Sequence, residues 1–421
     1  YYPAGEVTAH LVGFTGADDV GQEGVELAYQ DWLAGKGGSR RVIKDRIGHI
    51  VEDVESIATP QQGRDLVLSI DRKIQYLAYR ELKKAVEAHR AAAGAVVILD
   101  AQTGELLALA NLPAYNPNNV REFVGSRLRN RAFTDVFEPG STLKPFTAAA
   151  ALESGVFDSD SLIETGPGYL AVGGATIHDM HPGATLSVAR IIQTSSNVGA
   201  AKMALALKPE TLWNIYDDLG FGTSPHTGFP GEAAGKLRAH QTWRPIEQAT
   251  MAFGHGISVS LLQLARAYTV FANDGELLPV SLFKLDRPAV GHVVISPATA
   301  RAVRDMLEMV TQPGGTAPNA RIVGYRVAGK TGTAHKLQGG AYAVDHYIAS
   351  FVGLAPASNP RLVVAVMVDD PKGGEYYGGA VAAPVFRNIT AGALRLLGVF
   401  PDAPLEELPA TDGIPEVKEM V

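Results

Sequence analysis

Ser141-Thr142-Leu143-Lys144-Pro145-Phe146-Thr147-Ala148-Ala149-Ala150-Ala151-Leu152 is the stretch from which the rest of the chain can be read. Pro139-Gly140 stops the preceding segment, and Ser141 then suits a helix N-terminus. The helix predicted from Ser141 to Gly155 is apolar nearly all round, so it belongs in a core. Two polar side chains enter that core at its start. Ser141 and Lys144 are three residues apart, a spacing that puts both on one helix face. A serine hydroxyl is a poor nucleophile until a neighbour takes its proton. A lysine, with an ordinary pKa of about 10.4, must be pushed down to act as a base near neutrality. Burial, the positive end of a helix and a second cation such as Lys330 all push that way. The spacing alone is weak, since Ser281-Leu282-Phe283-Lys284 also fits. The Leu285-Asp286-Arg287-Pro288 that follows reads as strand and turn, so Lys284 would face away from Ser281.

Two further strings extend the pattern. Ser195-Ser196-Asn197 follows apolar residues 188–192 and precedes a helical run at 200–207. In such a loop Ser195 and Asn197, two apart, can aim the same way. Ser195 would then relay a proton to a leaving amine and the Asn197 amide would grip a peptide group. The competing reading is a capped turn in which Asn197 bonds backbone. Lys330-Thr331-Gly332-Thr333 follows a strand-like run at 323–328. Gly332 permits close approach of a substrate backbone. Lys330 with the hydroxyls of Thr331 and Thr333 would hold a carboxylate. The alternative there is a hairpin turn with an exposed lysine.

The remaining sequence sets these strings in an α+β architecture. Apolar runs at 95–99 and 106–110 flank Asp100-Ala101-Gln102-Thr103-Gly104, a hairpin signature, after an amphipathic helix at 72–89. The next strong strands lie at 348–354 and 362–368, with mostly helical sequence between, including 261–272 and 297–310. Strands at both ends with helices between predict an antiparallel sheet completed late in the chain. Residues 1–63 form a smaller N-terminal unit, with a helix at 24–34, a solvated β-ribbon around Arg40-Arg41 and a linker at 59–63. The larger domain is residues 64–421, beginning around residues 66–70 ahead of the helix at 72–89.

A length of 421 residues suits one large domain plus a smaller one. The net charge of −7 argues against nucleic acid, which needs a basic surface. Zero cysteines exclude disulfides and thiolate chemistry. No run approaches the roughly 18 apolar residues of a membrane helix. The sequence opens at Tyr1-Tyr2-Pro3 without a Met or signal peptide and reads as an excised fragment. His178-Asp179-Met180-His181 offers two imidazoles but no third ligand, so no metal and no cofactor is expected.

The three strings, with Phe137-Glu138-Pro139-Gly140 before the first and Ala334-His335-Lys336 after the third, resemble the class B penicillin-binding proteins, in particular their cell-division transpeptidases. Tyr2-Pro3-Ala4-Gly5-Glu6 and Gly24-Val25-Glu26 are similar to that family's β-rich N-terminal pedestal, and Asn130-Arg131, Gly254 and Gly256 also match its catalytic domain. The resemblance implies a penicillin-binding/serine β-lactamase-like transpeptidase domain that crosslinks peptidoglycan stem peptides ending in D-Ala-D-Ala, and that β-lactams trap. It implies Ser141 as nucleophile, Lys144 as base and Ser195 as proton shuttle. Asn197, Lys330, Thr331, Gly332 and Thr333 would bind the donor peptide, and the backbone N–H groups of Ser141 and Thr333 would form an oxyanion hole. It further implies a place on the periplasmic face of the inner membrane, an anchoring helix outside this sequence, and division-machinery partners including a glycan polymerase. Relatives often carry tyrosines where this chain has Phe253 and His255. His255 either touches ligand or packs. Tyr376 and Tyr377, in a Gly-rich segment, either wall the cleft or form an exposed loop.

Three rival functions share parts of the pattern. A serine β-lactamase needs a Glu to position a deacylating water. Glu210 is the nearest, and after Pro209 it reads better as a first-turn helix acid. A D,D-carboxypeptidase shares all three strings and differs only in product. A division-machinery scaffold would not depend on Ser141 at all.

Overall fold

The computed structural model describes residues 1–180, 182–183, 185–338 and 341–405. The first 63 residues hold short helices, among them Gly24–Ala28 and Gln30–Leu33, and an exposed antiparallel ribbon of β1 (Ser39–Lys44) and β2 (Ile50–Ala58). The helix expected at 24–34 is broken at Tyr29, whose backbone leaves the helical region (φ −120°, ψ 27°). Its ring instead packs edge-on against Phe283 of the larger domain, with centroids 5.1 Å apart.

Helix α1 (Arg72–Ala88) begins where Asp71 accepts from the backbone N–H groups of Lys73 (2.8 Å) and Ile74 (3.0 Å). It buries Ile74, Ala78, Leu82 and Ala85, one face of a 3.6-residue period. Ahead of α1, Leu68 bridges to Phe283, and the Asp71 cap then turns the chain into the helix. Strands β3 (Ala93–Asp100) and β4 (Leu106–Leu112) then form the hairpin read from their apolar runs.

Next come a 3₁₀ turn at Gly140–Leu143, α2 (Lys144–Glu153), α3 (Val188–Thr194), α4 (Asn197–Leu205), α5 (Pro209–Asp218), α6 (Leu261–Ala272) and α7 (Pro297–Met309). β5 (Ala328–Gln338), β6 (Ala341–Ala355) and β7 (Leu362–Asp369) complete the sheet before α8 (Ala383–Leu396). The strand expected at 323–328 begins only at Ala328, because Ile322 and Tyr325 close a tight turn between themselves.

The sheet order is β5-β6-β7-β3-β4, antiparallel throughout. Every residue of β3 is buried, so both faces are covered. α1 and α8 pack on each other and the sheet, while α6 and α7 form a second packed pair against it. Each buried Val, Leu or Ile contributes about 1.5–3 kcal/mol. α2 is buried as its composition predicts. Phe146 stacks on Phe271 (5.1 Å) and meets Tyr268 and Phe221 edge-on. The Ser141 turn is thereby joined to a packed helical lobe, and β5 is held beside it by the sheet.

Candidate active site

The chain reaches Ser141 through a crowded backbone crossing. Gly140 adopts φ +58° and lies against Gly254 (φ +84°), where an added Cβ would sit 2.2 Å from the Gly140 oxygen. The expected α-helical start is a 3₁₀ turn over Gly140–Leu143, and α-geometry begins at Lys144. A 3₁₀ turn eclipses residues three apart. Ser141 and Lys144 therefore share one edge, with Ser141 4% exposed and Lys144 fully buried.

Ser195 is the point at which the three strings meet. Lys144 Nζ donates to Ser195 Oγ (3.0 Å) and also to the Ser195 carbonyl oxygen. Lys330 Nζ donates to the same Oγ at 2.9 Å, and lies near Thr331 Oγ1 at 3.2 Å. Ser195 closes α3 in the left-handed region (φ 62°, ψ 39°), a conformation that costs a non-glycine residue about 1 kcal/mol. That conformation allows its carbonyl and its hydroxyl to reach one amine together.

The neighbouring residues are pinned by Asp179. Its carboxylate accepts from Ser196 Oγ (2.6 Å), Asn197 N (2.6 Å) and Val198 N (2.9 Å) at the start of α4, where a negative charge is favoured. Asn197 Nδ2 donates to the His178 carbonyl (3.3 Å). Asn197 thus bonds backbone as in the capped-turn reading, while Ser195 sits with the two lysines. Sequence reading met Asp179 only inside the run weighed for metal, of which His181 lies outside the described residues. Asp179 turns inward to α4 instead.

β5 presents the third string. Lys330, Thr331 and Thr333 are buried, so Lys330 is not the exposed lysine of a simple turn. A Cβ on Gly332 would lie 2.5 Å from Ser350 Oγ and 2.9 Å from both Pro139 O and Thr142 Cγ2, so this strand runs flush against the Ser141 turn. Thr331 Oγ1 pairs with Thr316 Oγ1 (2.7 Å), and Thr333 Oγ1 accepts from Gly378 N–H (3.0 Å). Thr316 carried no sequence signal; its role depends on the loop after α7 folding back on β5.

An aromatic row borders the same region. Phe253 and His255 meet at 5.2 Å, His255 and Tyr342 at 5.7 Å, and His335 and Tyr347 at 4.7 Å. Tyr347 stacks on Tyr376 (4.2 Å) and Tyr376 on Tyr377 (4.4 Å), so these tyrosines are packed and half-buried. Burial first, then the charges of Lys144 and His335, hold the His255 imidazole down at about 4. Ser281 and Lys284 diverge as expected. Ser281 Oγ donates to the Phe283 carbonyl, while Lys284 pairs with Glu105 (3.4 Å). Glu210 is exposed in the first turn of α5.

A buried serine at a strained crossing, a buried lysine one turn on and a second lysine on an adjoining strand define an acyl-transfer class of site. A family profile described as "Penicillin binding protein transpeptidase domain" matches residues 94–391, and one described as "Penicillin-binding Protein dimerisation domain" matches residues 1–68. The chain belongs to the penicillin-binding protein transpeptidase family. It is 48% identical over 407 residues to the "Probable peptidoglycan D,D-transpeptidase PenA" of Neisseria gonorrhoeae, covering 96% of this chain and 70% of the relative. It is 45% identical over 403 residues to the "Peptidoglycan D,D-transpeptidase FtsI" of Escherichia coli K12, covering 96% of this chain and 68% of that one. The solved transpeptidase domain of penicillin-binding protein 3 from Burkholderia pseudomallei superposes with a TM-score of 0.75 at 52% identity, covering 80% of this chain and 98% of that chain.

Proposed function

We propose that the chain is a peptidoglycan D,D-transpeptidase acting through a Ser141 ester. The observation that carries this reading is the convergence of Lys144 and Lys330 on one hydroxyl, Ser195 Oγ, beside the turn that bears Ser141. A lysine accepts a proton only in its neutral form. Lys144 accepts the Ser141 proton as Oγ attacks the carbonyl of the penultimate D-Ala. The tetrahedral oxyanion is held by the backbone N–H groups of Ser141 and Thr333. Collapse breaks the peptide bond, and the leaving D-Ala amine takes its proton through Ser195. An acceptor amine then attacks the ester, loses its proton to the same relay and releases Ser141. Lys330, Thr331 and Thr333 hold the donor carboxylate, Gly332 admits its backbone and Asn197 its peptide group. Phe253, His255, Tyr376 and Tyr377 line the cleft.

In this reading residues 1–63 are the pedestal and residues 64–421 the penicillin-binding domain. The same reading, resting on the resemblance to cell-division transpeptidases, puts the chain in septal wall synthesis on the periplasmic face of the inner membrane, beside a glycan polymerase and other division proteins. β-Lactams acylate the same serine. Intact-mass spectrometry after incubation with benzylpenicillin tests the core of this. One covalent adduct per chain, mapped to the Ser141 peptide and abolished by Ser141→Ala, is expected, and an adduct that survives S141A refutes it. Crosslinked rather than trimmed stem peptides separate transpeptidation from carboxypeptidase action.

A further inference from the structure

Glu138 lies three residues before Ser141 and takes no part in the proton transfers above. Its side chain is 8% exposed, and its two oxygens have separate partners. Oε1 accepts from Gly256 N–H at 2.8 Å, and Oε2 accepts from the Tyr342 hydroxyl at 2.9 Å. These donors come from different parts of the cleft. Gly256 follows the Gly254 crossing, and Tyr342 sits near the far end of the β5–β6 hairpin, paired with Leu337. That end lies beyond a register irregularity between His335 and Leu337, so the regular ladder does not fix its direction. Tyr342 remains 48% exposed while its hydroxyl points in to Glu138. His255 and His335 flank its ring at 5.7 and 6.3 Å.

We infer that Glu138 is a positioning residue: through Gly256 and Tyr342 it fastens the projecting end of the hairpin and the 254–256 loop to the nucleophile turn, and so sets the opening above Ser141. A carboxylate suits the task because two donors arrive from opposite elements and each needs its own acceptor. Burial pushes the Glu138 carboxyl up, and the bonds from Gly256 and Tyr342 oppose that shift. The clamp is thus built of groups that hold one another in place. Without it the described end of the hairpin would keep its ring contacts, the His335–Ala343 bond and the Lys336–Asp369 ion pair, none of which reaches the Ser141 turn.

The inference rests on the proposed role of Ser141, and rates distinguish the two. Tyr342→Phe keeps the ring and removes one donor, and Glu138→Gln keeps the shape and removes the charge. Each is expected to lower the second-order acylation rate by a fluorescent penicillin roughly five- to tenfold, with one adduct per chain still reached at long times. The double variant is expected to be no slower than E138Q alone, since both changes break one link. A half-exposed Tyr342 makes Y342F a safe folding control, with its melting temperature held near the parent's. Acylation by Y342F within twofold of the parent, or multiplicative losses in the double variant, overturns the clamp alone. A parent chain that forms no adduct overturns the reading of Ser141 and the clamp with it.

Discussion

Replacing Asp179 by Asn removes a charge from beneath the second motif without changing its shape. Asp179 is 9% exposed, and its carboxylate accepts three hydrogen bonds of 2.6–2.9 Å. Bonds to a charged acceptor contribute about 1.5–3 kcal/mol, against about 0.5–1.5 for neutral ones. An anion in a helix's first turn adds about 0.3–1 kcal/mol. Asn keeps one acceptor oxygen and turns an amide toward Ser196 Oγ, which can rotate to accept from it. The net weakening is therefore on the order of 2 kcal/mol, rather than the sum of three lost bonds. Its effect falls on the left-handed Ser195 immediately before the anchor, because that conformation holds only while its surroundings enforce it. If the whole amount appears in the barrier, acylation slows about 30-fold. The assay is the second-order rate constant for a fluorescent penicillin, with the melting temperature measured alongside. A fall of at most a few degrees is expected in a chain of this size. Acylation within twofold of the parent in both D179N and D179A would show that Ser195 keeps its pose unaided.

Gly254→Ala places a methyl 2.2 Å from the Gly140 oxygen at φ +84°, so it should cost on the order of 3 kcal/mol and depress adduct formation at least tenfold. Normal adduct yield and melting temperature would refute that crossing. Burial holds the His10 imidazole down at about 4 from an ordinary 6.5, with the nearby Arg131 charge acting the same way against the bond to the Arg127 carbonyl. The folded chain thus favours neutral His10, and the unfolded chain takes up the proton first. Its stabilising contribution is full above about 6.5 and is lost as pH falls toward 4. His255 acts in the same direction. Melting temperature should decline across that window, and more shallowly in His10→Gln; an unchanged slope would count against it.

The elements that were legible had their signals in adjacent residues. β3, β4 and β7 are short apolar runs, and α2 is an alanine-rich stretch behind a Pro-Gly stop. The strings around Ser141, Ser195 and Lys330 stood out because the proposed chemistry needs several groups within a few residues. What escaped depends on contacts the sequence separates. Asp179 reaches Ser196 from 17 residues upstream, and Glu138 meets Tyr342 from 204 residues away. Nothing local distinguishes a 3₁₀ from an α-helical first turn at Ser141, since the crossing with Gly254 decides it. Likewise Tyr29 breaks a helix that its own segment would continue, because its ring packs on Phe283.

The sheet order also bears on how the protein is made. β3 emerges early, yet its partner β7, which pairs Val366 with Val96, is among the last strands translated. The intervening helices, with the serine turn among them, must wait on an incomplete sheet while hydrophobic edges stand open. Such distant pairing slows folding and leaves a window for aggregation. It also delays completion of the candidate site, since Lys330 arrives on a strand that follows Ser141 by most of the helical lobe. On the proposed role of Ser141, the site is complete only once the strand bearing Lys330 has joined the sheet.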